Sequence, residues 1–248
     1  MQTRATGLAA VLAFAVVTAF AGAAIAGPPF VADDPEPTDP DRWEVYAFAA
    51  ATRAAEATEG EAGLDVNYGA ARDLQVTLDL PLAFEHDGAS HAGLGDVELA
   101  AKYRFLHQRD GEPIPDVAFF PRFTLPTGGQ RFGAGHMTLF LPLWAQKDFG
   151  AWSVFGGGGY QIHLGGEGRN NWLAAMAATR QLTDRWLLGA EIYHETPDER
   201  GSRPFTGLNL GTVYRLTERW SVLASAGPGI QNSRQGRFAV YIGLKADY

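Results

Sequence analysis

The chain has 248 residues, with 28 acidic side chains against 20 Lys or Arg and a formal net charge of −8. That balance argues against nucleic acid, whose phosphates demand a basic footprint. Cysteine is absent, which excludes a disulfide framework, thiolate metal sites and thiol chemistry.

The first 26 residues read as a cleaved secretory signal peptide. Arg4 supplies the positive start, Gly7 to Ala24 is an uncharged apolar run, and Ala24-Ile25-Ala26 is a small-x-small exit. Beyond residue 26 charges recur too often for a run of roughly 20 apolar residues, so no later helix spans a membrane. The exported chain is then either soluble or a closed barrel, because a bilayer tolerates only backbones that pair every N–H and C=O internally. Thirty Gly and 12% aromatic residues suit a β protein with many turns.

Residues 27–42 hold five prolines and five acids. Proline withholds ladder donors and like charges repel, so this segment reads as an extended, proline-rich periplasmic arm, either disordered or reaching into the barrel as a plug. From Trp43 the dominant period is two. In 73–82, Leu74, Val76, Leu78 and Leu80 alternate with Asp73, Gln75, Thr77 and Asp79; in 96–105, Val97, Leu99, Ala101, Tyr103 and Phe105 alternate with Asp96, Glu98, Lys102 and Arg104. Similar segments follow, giving expected strands near 43–53, 61–69, 73–82, 96–105, 115–125, 136–146, 152–162, 171–181, 186–194, 205–215, 220–227 and 238–248.

Alternation alone also fits a sandwich with one wet face. Three features favour an all-β, up-and-down transmembrane antiparallel β-barrel of about twelve strands over 43–248, placed in the cell outer membrane. The segments approach the roughly 9–11 residues that a tilted membrane strand needs. Trp152, Tyr160, Trp172, Trp186, Tyr214, Trp220, Phe238 and Tyr248 sit near segment ends, as aromatic girdles do. Short connections (69–72, 146–151, 182–185, 216–219) alternate with long ones (83–95, 127–135, 164–170, 195–203, 228–237), although 106–114 runs long where a short turn is due. Pro121 and Pro142 fall inside expected strands and require bulges or strand ends. Residues 136–146 are apolar on both faces, Phe140 and Trp144 against Leu139 and Leu143.

Ordered along the chain stand GPPFVADDPEP at the start, Asn67-Tyr68-Gly69, Gly93-Leu94-Gly95-Asp96, Lys102-Tyr103-Arg104-Phe105, the stretch from Phe120 to Gly128, Leu141 to Lys147, Phe155 to Tyr160, Arg169-Asn170-Asn171-Trp172 and His194 to Asp198. As a set these resemble the outer-membrane transporter family of meta-pathway phenol-degradation proteins. The resemblance implies a barrel and uptake of small hydrophobic or aromatic compounds. The last strand, ending Tyr248, resembles the signal read by the barrel-assembly machinery, with Gly243 in place and Ile242 departing from the usual polar residue.

In a barrel the polar face is the lumen, and its candidate lining residues are Asp79, Glu98, Lys102, Arg104, Arg122, Glu191, Arg215 and Lys245, with Asp65, Asn67, Asp73, Asp96, Asn209 and Asp247 on the same faces. Such charges either pair across strands and fill the interior or form a constriction that selects small solutes. Two function classes therefore stand beside each other, a channel and a structural or plugged barrel. His163 and His194 fall at strand ends as rim candidates. No histidine pair has a metal spacing, so no metal or cofactor is expected. The third class, a barrel hydrolase, finds no nucleophile–base pair: Ser153 and His163 lie ten residues apart on one strand, over ~30 Å. The glycines of Phe155-Gly156-Gly157-Gly158-Gly159-Tyr160 lack the lysine of a phosphate loop and mark bending or close approach.

Overall fold

Strands that are greasy outside and polar inside satisfy every backbone group only if their sheet closes on itself. The computed structural model describes residues 28–55, 57–109, 111–166, 168–198, 201–231 and 236–248; the expected signal peptide lies outside them. Fourteen strand segments follow in chain order: β1 (Trp43–Ala54), β2 (Ala57–Ala71), β3 (Leu74–His86), β4 (Ser90–Leu94), β5 (Val97–Leu106), β6 (Asp116–Phe119), β7 (Arg122–Leu125), β8 (Met137–Phe149), β9 (Trp152–Leu164), β10 (Asn171–Thr183), β11 (Trp186–Glu195), β12 (Phe205–Arg215), β13 (Trp220–Pro228) and β14 (Phe238–Asp247). Neighbours pair antiparallel, and β1 pairs with β14 from Glu44↔Asp247 to Arg53↔Phe238, which closes the ring.

The fourteen segments make twelve staves. β4 and β5 both pair with β3, at Leu82↔Leu94 and Asp79↔Glu98, and so form one stave broken at Gly95–Asp96. β6 and β7 both lie between β5 and β8 and form another, broken at Phe120–Pro121. Twelve is the number that the alternation predicts. Details differ. Residues 83–95, expected as a loop, instead lengthen β3 and build β4, a hairpin whose tip is 87–89. The short-turn rim carries one long connection, between Leu106 and Asp116, and the long-loop rim carries one short one, where Ala54 pairs directly with Ala57.

The two strand prolines meet at one place. Pro142 stays inside β8, and its carbonyl accepts the Phe120 N–H at 3.2 Å. The amide edge of Pro142 therefore faces the Phe120–Pro121 break, while the Pro121 carbonyl accepts the Ala101 N–H of β5 at 3.2 Å, so Pro121 itself sits in the break between β6 and β7 rather than inside a strand.

Outside, Leu64, Val76, Leu80, Leu99, Leu210, Val240 and Ile242 are exposed, as an apolar band requires. At the short-turn rim stand exposed Trp43, Trp152, Trp186, Tyr214, Trp220 and Tyr248; at the other rim Tyr160 and Trp172 pack with ring centroids 4.8 Å apart. The glycine run in β9 brings strands together: a Cβ on Gly157 would lie 1.9 Å from the Leu143 carbonyl oxygen, and one on Gly158 2.2 Å from that of Leu173.

Candidate functional site

The segment before β1 lies inside the barrel. At the short-turn rim Pro40 bridges Gly69, and the Asp41 N–H donates to the Gly69 carbonyl at 2.9 Å. From there the segment crosses the lumen. Thr38 donates its N–H and hydroxyl to Gln75 Oε1, at 2.8 and 3.0 Å. Asp33 meets Lys102 Nζ at 2.9 Å, and Asp34 stands 3.8 Å from it. Glu191, on the far wall, accepts the N–H groups of Val31 and Ala32 at 2.9 Å each and the Asn209 amide at 2.7 Å. Ser225 bonds the carbonyl of Pro29. Phe30 fills a hollow left by two inward glycines: a Cβ on Gly211 would come within 2.5 Å of its ring, and one on Gly189 within 2.7 Å.

A disordered arm does not match this arrangement. The buried side chains of Asp33 and Thr38 and the amides of Val31 and Ala32 each find a partner, as burial requires. An apolar cluster backs it: Phe30 and Ala32 pack with Phe120, Phe140, Trp144, Phe155, Leu173, Tyr193 and Phe205 from six staves. This explains why residues 136–146 are apolar on both faces. Phe140 and Trp144 point in and are 3% and 1% exposed, whereas Leu143 points out and is 51% exposed. The rule of a polar inner face presumes water in the lumen, and here protein replaces it.

The sequence-derived residues sort into three groups. Lys102 and Arg104 lie on the short-turn half, and Glu191 lies about midway along β11. Arg104 holds Asp73 Oδ1 at 3.0 Å, where His107 also bonds it at 2.8 Å, and approaches Asp116 at 3.8 Å. Lys245 bridges Glu44 and Asp247, at 3.1 Å each, and Arg215 donates to the Asp184 carbonyl at the short-turn rim, exposed rather than constricting. Toward the middle, Asp79 faces Asp65 across β2–β3 and Glu98 across β3–β5, and Arg122 pairs with Glu98 at 3.1 Å. Lys102 and Arg122 both stand 4.9 Å from the Phe120 ring centroid, a cation–π geometry.

At the long-loop rim His163 faces inward and meets His136, Nδ1 to Nε2, at 3.0 Å. His194 alternates with inward Glu191 and Tyr193 and so points outward; its Nδ1 lies 2.8 Å from Thr206 Oγ1. Ser153 bonds Asp148, and the structure does not bring it to a histidine. Sequence reasoning missed Glu61, Tyr241 and His136. Glu61 shares the parity of Asp65 and Asn67, which is the signal that could have found it.

A closed twelve-stave barrel with an apolar outer band, aromatic rims and a charged interior is an outer-membrane β-barrel. Over residues 31–241 the chain matches the family described as "Putative MetA-pathway of phenol degradation", and it belongs to that family. Comparison with curated proteins finds no match. Among solved structures it is similar to an outer membrane channel of Pseudomonas putida F1, with a TM-score of 0.70 and 15% identity over 87% of this chain and 98% of that one. It is also similar to the KdgM porin in complex with disordered oligogalacturonate, with a TM-score of 0.55 and 9% identity over 81% and 98%. The translocator domain of the autotransporter NalP from Neisseria meningitidis gives a TM-score of 0.54 and 12% identity over 85% and 89%. At such identities the likeness is one of fold.

Proposed function

We infer that the protein is an outer-membrane channel for uptake of small solutes, hydrophobic or aromatic compounds among them, with residues 28–42 as the element that restricts flow. One observation carries this reading. From the short-turn rim to about mid-barrel the lumen is occupied by a segment that, among the described residues, is joined to the wall covalently at the foot of β1 and otherwise by non-covalent contacts, so what fills the barrel is separable from what builds it. Family membership supports the solute class, and the inward aromatic rings of Phe120, Phe140, Trp144, Phe155, Tyr193 and Phe205 offer such solutes a compatible lining. Export through a leader over 1–26, and recognition of β14 by the barrel-assembly machinery, belong to the same proposal.

The apolar cluster favours a second reading, a structural barrel closed for good. Single-channel recording on the refolded protein separates the two. The channel reading expects resolvable conductance that rises several-fold when the Lys102 and Glu191 contacts to the segment are removed. Absence of current in parent and variants alike, with no uptake defect on deletion, would establish the structural barrel.

A further inference from the structure

The wall formed by β1, β2, β3, β5 and β14 carries more negative charge than it pairs. Asp65, Asp79 and Glu98 are successive cross-strand partners. Like charges directly opposite destabilise a sheet, so this row is not explained by wall stability. Glu61 lies on the same face of β2, with Gly63 between it and Asp65. Against these four carboxylates stands, among the described residues, one base, Arg122, already engaged by Glu98. Lys102 is committed to Asp33 and Asp34, and Lys245 to Glu44 and Asp247.

Arg122 Nε meets Glu98 as an ion pair without hydrogen-bond geometry, and two further polar atoms in this corner lack a hydrogen-bond partner. One is Asp79 Oδ1. The other is the hydroxyl of Tyr241, a residue only 8% exposed. Tyr241 starts in the ladder row of Ala50 and Glu61, and its ring lies across Gly243, where an added Cβ would come within 2.7 Å of the hydroxyl oxygen. That leans it from the Glu61 row toward the Asp65 row, over the row of Phe48 and Gly63. Its ring stacks with that of Phe48, with centroids 6.2 Å apart and planes at 11°.

We propose that this corner is a binding site for a small alkylammonium ion. The ammonium head has three N–H donors and no acceptor, matching the Asp65 and Asp79 carboxylates and the Tyr241 hydroxyl oxygen. The Phe48–Tyr241 pair gives the alkyl part an apolar shelf and the charge a π face, which a bare metal ion would not use. Bound there, the cation offsets the unpaired charge of the row. The site rests on the lumen reading above, and it gives the channel a preference for amines among small solutes.

The test is calorimetric titration of the folded barrel in neutral detergent with n-butylammonium chloride, beside KCl and CaCl2 at matched ionic strength. Saturable butylammonium binding is expected, weakened about tenfold or more in Asp79→Asn, since a charge-assisted hydrogen bond is lost. Tyr241→Phe, which keeps the ring, should weaken it by a smaller factor. No saturable binding in the parent, or equal binding in both variants, overturns the proposal. Calcium displacing butylammonium at lower concentration overturns it in favour of an inorganic cation site. Because the titration needs no current, failure of the channel reading would show separately, as absence of conductance.

Discussion

Lys102 reaches from the wall to Asp33 of the inner segment at 2.9 Å, and their side chains are 6% and 2% exposed. Breaking such a pair on one side strands a buried charge, at a cost of about 3–5 kcal/mol where the structure cannot relax. Here it can relax, because the segment can undock and carry Asp33 to water.

Lys102→Ala should therefore free the segment and leave the barrel intact. The chain has no native cysteine, so a Thr38→Cys reporter reads the segment alone; Thr38 is 3% exposed in the docked state. A thiol reagent should label the reporter slowly in the parent background and many-fold faster with Lys102→Ala. Equal labelling rates would show that this pair does not hold the segment.

Glu191→Ala removes the acceptor of two backbone N–H groups and of the Asn209 amide. Each buried donor left without a partner costs about 1–3 kcal/mol, so the docked state should lose its advantage here too. The check is channel open time, expected to lengthen. An unchanged gating pattern, with the variant still folded, would contradict the assignment of Glu191 as the far-wall anchor.

A steric version isolates the apolar contact. Gly211→Ala puts a methyl into the Phe30 ring, so the segment should undock. In a Phe30→Ala background the same substitution should be nearly neutral, because the hollow is then empty. Additive effects in this double-mutant cycle would mean that Gly211 matters for the wall rather than for the segment.

Register gives a fourth expectation. Leu78 and Leu99 are direct partners on the outer face, one step along from the inward Asp79 and Glu98. Arg at either leucine should cost about 2–4 kcal/mol in a vesicle folding titration if the site lies near the bilayer midplane. Asp79→Asn should cost much less, since it removes a like-charge contact. Two Leu→Arg variants folding as well as the parent would place these leucines away from lipid.

At the short-turn rim, burial pushes the Asp73 carboxyl up, but hydrogen bonds and charge from His107 and Arg104 together hold it below its ordinary value. A depressed folded value contributes stability that is complete above the unfolded value, about 3.9, and is lost as pH falls through the folded one. Asp73→Asn, which tolerates the left-handed backbone at this position (φ 63°), should lower the unfolding temperature slightly at neutral pH. The gap should close in acid below the folded value. A gap that persists there would mean that Asp73 acts through its turn geometry rather than its charge.

The wall was legible because it obeys one local rule. Leu78, Asp79, Glu98 and Leu99 take the faces that alternation assigns, since a one-residue slip would exchange lipid and lumen. The inner segment was not legible, because its five prolines and five acids carry the composition of disorder. Its order comes from particular partners that are distant in sequence: Lys102 for Asp33, Gln75 for Thr38, Glu191 for the amides of Val31 and Ala32. The aromatic pair of Tyr241 and Phe48 needed the ladder, because their neighbourhood depends on closure between the first and last strands.

That closure also orders events in assembly. The bond from Pro29 to Ser225 joins residues 196 positions apart, and that from Val31 to Glu191 spans 160. Such contacts repay their loop-closure entropy only once the far wall is in place, and the segment draws on β3, β5, β11, β12 and β13 together. On that ground it is expected to settle after the staves have met. A ring with its lumen still vacant is then the expected precursor, and on the channel reading proposed above the last folding step would also be the one that restricts flow.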